Sequence, residues 1–73
     1  MDDRFRLLTV GRIAERTGHP VQRVARMLRA HPVFHPVAWA GNARLFDHAD
    51  LPDMQRELDA IAARQARKEW PHD

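Results

Sequence analysis

Apolar residues recur at helical spacing in three parts of the chain and break up around prolines between the second and third. Val10, Ile13, Ala14 and Thr17 fall at i, i+3, i+4 and i+7, which predicts a first amphipathic helix with Arg12, Glu15 and Arg16 on its other side. Thr9 supplies an N-cap hydroxyl, and Gly18 a stop, because a left-handed backbone is cheap for glycine. His19-Pro20 makes the turn, with proline suited to the first turn of a second helix. Val21, Val24, Ala25 and Leu28 repeat the spacing and are expected to point inward, which leaves Gln22, Arg23, Arg26 and Arg29 facing out. Pro32 and Pro36 forbid continuation of that helix. Val33 to Val37 is predicted as a short edge strand and Arg44 to Phe46 as its partner. Between them, Ala40-Gly41-Asn42-Ala43 carries a Gly-Asn pair suited to a two-residue hairpin turn. Leu51, Met54, Leu58, Ile61 and Ala62 then form one stripe down a third helix, capped by Asp47 or Asp50, with Pro52 in its first turn. Acids at its start (Asp50, Asp53, Glu57) and bases at its end (Arg64, Arg67, Lys68) match the helix dipole.

The pattern predicts a mainly α domain of three helices plus a small two-stranded β-hairpin. It divides the chain into an N-terminal arm at 1–8, a domain at 9–69 and a tail at 70–73. A chain of 73 residues holds one small core and buries only about 60% of the surface its unfolded form exposes, so a deep catalytic pocket is not expected. Phe34 and Phe46 are assigned to the core or to half-buried strand positions. Cysteine is absent, which removes disulfides and thiolate metal sites together. No apolar run is long enough to span a membrane, and Leu7-Leu8 is too short for a signal-peptide core. The location expected is cytoplasmic and nucleoid-associated.

Charge changes the picture more than composition does. From Arg4 to Phe46 there are 8 arginines and one acid, Glu15, for a net of +7; from Asp47 to Glu69 the net is −2. The formal total of +2 therefore joins a strongly basic front to an acidic back, the footprint of a small nucleic-acid reader. Arginine dominates lysine, which suits bidentate contacts with phosphate or guanine, although a GC-rich coding sequence gives the same bias.

A helix-turn-helix needs a small residue where two helices cross, a turn-former four residues on, and an apolar inner face on the second helix. Ala14, Gly18 and the series Val21, Val24 and Leu28 supply them. The outer face of the second helix then meets the major groove, with residues near its start closest to base edges. Gln22 and Arg23 occupy that start; glutamine can bond adenine and arginine guanine in a bidentate manner. Arg26 and Arg29, one and two turns later, reach backbone or a neighbouring base.

The runs Val10-Gly11-Arg12-Ile13-Ala14-Glu15-Arg16-Thr17-Gly18 and Gly41-Asn42-Ala43-Arg44-Leu45-Phe46-Asp47-His48-Ala49-Asp50-Leu51 resemble the MerR-type winged helix-turn-helix over roughly residues 8–62. The resemblance implies a second helix in the major groove of double-stranded DNA and a hairpin wing on the adjacent backbone. Gln22, Arg23 and Arg26 would then read bases or nearby phosphates, Arg44 would grip phosphate, and Arg12, Arg29, Trp39 and Asn42 complete the candidate interface. His19 stands where that family usually has a buried aliphatic. The sequence ends after one helix past the wing, like the short stand-alone and excisionase-type forms, so no small-molecule effector is expected. The resemblance implies cooperative arrays on repeated half-sites and a role as transcriptional regulator or recombination directionality factor. The two-turn extension of the last helix is too short for an independent coiled coil, so self-association is expected to be weak.

Simpler readings compete at several positions. Arg23, Arg26 and Arg29 also fit a solvated helix face, and Arg44 fits a partner for Asp47. Trp39 either caps the core or stands in the wing against sugar and backbone. His31 and His35 are four apart, but Pro32 and Pro36 remove the helix that would make this a ligand pair, and no converging carboxylate completes a set. No metal, cofactor or catalytic residue is expected; nucleophile triads, Gly-rich phosphate loops and paired carboxylates outside the capping acids are missing from the sequence. The alternative function is a protein-interaction adaptor on the same scaffold, which presents its basic face to an acidic partner. Trp70 and the side of the third helix from Ala62 to Ala66 offer a second docking surface.

Overall fold

Thr9 starts the first helix through its side chain: the hydroxyl accepts from the Arg12 amide at 3.1 Å. The computed structural model describes residues 7–69. Helix α1 spans Val10–Thr17 and ends at Gly18, which takes φ +74° and donates its amide to the Ala14 carbonyl. Helix α2 spans Val21–Ala30 and α3 spans Leu51–Glu69. Strands β1 (Leu7–Leu8), β2 (Ala38–Ala40) and β3 (Ala43–Asp47) form an antiparallel sheet in the order β1-β3-β2.

The sheet differs from the expected two-stranded hairpin in two ways. Leu7–Leu8, assigned to an arm, pairs with β3, Leu8 standing opposite Phe46; two residues are too few to carry any period. The partner of β3 is Ala38–Ala40, not Val33–Val37. Prolines at 32 and 36 have no N–H to offer a ladder, and the chain folds locally instead, the Phe34 amide donating to the His31 carbonyl at 3.0 Å. Pairing begins where the Val37 amide donates to the Leu45 carbonyl at 2.9 Å. The turn falls where expected: Ala40 faces Ala43 across Gly41-Asn42. Gly41 has φ +61° and no described non-glycine residue is positive, the pattern of a type II′ turn with glycine first.

The core comprises Leu8, Ile13, Ala14, Val24, Met27, Leu28, Phe34, Phe46, Met54 and Leu58, with Val10, Leu51 and Ile61 packed at its edge. Phe46 is 1% exposed, and full burial of such a side chain contributes about 1.5–3 kcal/mol. The inner face of α2 is rotated from the expected one. Met27 is buried while Val21 is 52% exposed and Ala25 only half-buried, because α2 packs against α1 and α3 together. Asp47 caps the 3-10 turn His48–Asp50 by accepting from the Ala49 amide, and that turn leads into α3. Met54 and Leu58 on α3 are fully buried and Leu51 and Ile61 half-buried, as the stripe requires. No helix among the described residues is long and apolar enough to cross a membrane.

Candidate nucleic-acid interface

The exposed face of α2 carries Gln22, Arg26 and Arg29. No ion pair joins Arg26 or Arg29 to a carboxylate among the described residues. Their charges are therefore open to water or to an external anion.

Arg23 departs from the expectation that it faces out. It is half-buried, and its guanidinium donates to His19 Nδ1 at 3.0 Å and to Gln65 Oε1 at 3.1 Å. A guanidinium cannot accept a hydrogen bond, so Nδ1 must be the acceptor and Nε2 must carry the proton. Nε2 then donates to Asp59 Oδ1 at 2.8 Å. Asp59 Oδ1 also accepts from Gln55 Nε2 at 3.0 Å, and Gln55 Nε2 donates to the Thr17 carbonyl at 3.1 Å. The His19 hydrogen bond, and after it the Gln55 one, holds the Asp59 carboxyl below its ordinary range.

His19 is polar, yet its side chain is only 9% exposed. The imidazole is thus a buried bridge between α2 and α3. Sequence reading placed His19 only in the turn and assigned no role to Gln65 or Asp59. The i, i+4 placement of His19 and Arg23 was a local hint, but their α3 partners lie about forty residues away in the chain.

A cleft of about 340 Å³ opens between α2 and α3. Gln22, Arg23, Arg26 and His31 line it from the α2 side and Ile61, Arg64 and Gln65 from α3, above Met27. The structure thus brings Gln22, Arg23 and Arg26 together, but around a cleft rather than in one row. His31 lies 3.4 Å from Glu57 and its ring is 6.4 Å from that of Phe34.

The hairpin carries the remaining candidates. Trp39 is 62% exposed, so it stands in the hairpin and does not cap the core. It faces Arg44 across the ladder. Arg44 is half-buried, its guanidinium carbon 5.9 Å from the centre of the Phe46 ring. Asp47, the alternative partner, is engaged in capping instead. Asn42 is exposed at the tip. Arg12 lies apart on α1, with its Nη1 3.6 Å from Glu15 and 60% of its side chain exposed, a pair too exposed to hold it fixed. Trp70 lies outside the described residues, as does the tail it belongs to; Ala63 and Ala66 on α3 are exposed.

No family model, no curated protein and no solved structure matches the chain.

Proposed function

We propose that the chain is a winged helix-turn-helix that binds double-stranded DNA, with the exposed face of α2 in the major groove and the β2–β3 hairpin as the wing. One observation carries this reading: Arg26 and Arg29 stand exposed beside Gln22 without a carboxylate partner among the described residues. Two features support it. The element order matches what the MerR-type resemblance implies, and the hairpin presents an exposed Trp39 opposite Arg44, an apolar surface and a cation for sugar and phosphate. In this reading Gln22 and Arg26 face bases, while Arg29 and Arg44 face the backbone. Arg23 is the strut that fixes α2 on α3, and takes no part in base reading while so held. The biological role is a small regulator or directionality factor acting from a nucleoid location through several copies on repeated sites.

The adaptor reading draws on one observation, the exposure of Val33 at 72%, Val37 at 52% and Trp39 at 62%. Titration of a fluorescent duplex by anisotropy over rising salt decides between them. Three to five phosphate contacts give a slope of log K against log salt of about −3 to −4.5, whereas an adaptor gives weak binding and almost no slope.

A further inference from the structure

We propose that the cleft between α2 and α3 is a binding site for a small organic anion, a phosphate or carboxylate attached to a flat apolar body. The site does not require that the chain bind DNA, although it shares Gln22 and Arg26 with the proposed DNA face. The cleft volume of about 340 Å³ falls within the range of small-molecule sites. Its lining includes Arg23, Arg26, Arg64 and His31 and no acidic side chain. Of these, only His31 has a carboxylate near it among the described residues, that of Glu57. Arg23 is the informative member. It is half-buried and held by two neutral acceptors, His19 and Gln65, with the Asp59 carboxylate beyond His19. Its charge is thus fixed in place with no carboxylate in direct contact among the described residues. A guanidinium has five N–H donors, and those two bonds leave others free. Half-buried Ile61, with Pro20 and Ala30, gives the same cleft an apolar wall over the buried Met27. Arginines at the rim fix the anionic oxygens by charge-assisted hydrogen bonds, and the wall takes the apolar body.

An anionic oxygen group can arrive on a free organic molecule or on a DNA backbone. The apolar wall favours the free molecule, because an apolar body covers more of Ile61 than the edge of a deoxyribose can. The site therefore asks for both features at once, and inorganic phosphate satisfies only one of them.

The test uses the full chain with ¹³C labels in the methionine methyls and isoleucine δ1 methyls. Met27 and Ile61 report on the cleft, and fully buried Met54 and Ile13 serve as internal controls. The expected result is that 1-naphthyl phosphate shifts the Met27 and Ile61 signals saturably in the millimolar range or tighter. Met54 and Ile13 stay in place, and neither inorganic phosphate nor 1-naphthol alone produces the shift. Arg64→Gln, at an exposed position, keeps the free spectrum and weakens binding about fivefold. Four results overturn the proposal. One is the absence of a saturable shift up to about 5 mM, below which a site of this size should fill. A second is an equal shift with inorganic phosphate, which marks a bare arginine cluster. A third is movement of Met54 and Ile13 together with the other two, which marks loosening of the fold. The last is a Met27 and Ile61 response to duplex DNA but not to naphthyl phosphate, which assigns the cleft to the DNA backbone. Because the DNA arm is read separately, loss of the DNA-binding reading leaves the ligand result intact.

Discussion

Replacing Arg23 by alanine separates its two possible roles, strut or reader. In the structure its guanidinium ties α2 to α3 through His19 at 3.0 Å and Gln65 at 3.1 Å. A buried hydrogen bond to a charged group contributes about 1.5–3 kcal/mol. Arg23 is half-buried, and halving that range gives about 1 kcal/mol for each bond and about 2 kcal/mol for the pair. Stability of about 0.05–0.15 kcal/mol per residue gives the whole domain ~4–11 kcal/mol, so the loss is a large fraction. With 1 kcal/mol worth about 4–8 °C in a domain of this size, Arg23→Ala should lower Tm by about 8–15 °C. Thermal and urea melts followed by helix circular dichroism measure it, with Arg29→Ala as the exposed control, expected within about 0.5 kcal/mol of wild type. A double-mutant cycle with His19→Ala should then return a coupling of about 0.5–1 kcal/mol. A Tm change under about 2 °C for Arg23→Ala would refute the reasoning: the strut would not be formed in solution, and Arg23 would again be free to read bases.

Three further outcomes test other parts of the account. Leu58→Ala empties a fully buried position where α3 meets the core and should cost about 2–5 kcal/mol, read as a fall in the urea midpoint at unchanged slope. Gly18→Ala meets no atom within 4 Å, so its cost is the left-handed backbone alone, about 1–2 kcal/mol; a near-neutral melt would show that α1 does not end as described. Asp59 has a lowered carboxyl pKa, so its contribution is present above the ordinary carboxylate range and lost as pH falls through its folded value. Asp59→Asn keeps an oxygen that accepts from His19 and Gln55 but cannot titrate, so its stability should fall less steeply than wild type below about pH 4.

Where local chemistry sets an element, the sequence shows it. Thr9 and Gly18 bracket α1 because one hydroxyl and one missing Cβ do the work. The Gly41-Asn42 turn and the Met54, Leu58 stripe obey the same logic. Features that depend on distant partners are not legible. Strand β1 is two residues long and exists only because β3 has a free edge for it. The exchange of Val21 for Met27 on the inner face of α2 comes from where α1 and α3 lie, not from the spacing within α2. Arg23 looks identical to Arg26 and Arg29 in sequence, and only Gln65 and the Asp59-bound His19 set it apart. The cleft was invisible for the same reason, since Ile61 and Arg64 meet α2 only after folding.

The most direct measurement of the central claim is duplex affinity, at fixed salt, for two charge-matched variants. Arg26→Glu with Arg29→Glu inverts two exposed cations of α2, and Arg56→Glu with Arg67→Glu inverts two exposed cations of α3. If α2 enters the groove, the first pair should lose at least about a hundredfold and the second no more than a few-fold, because contact charges matter more than net charge. Equal losses from the two pairs would mean that DNA senses only the total charge, and that the outer face of α2 is not the reader.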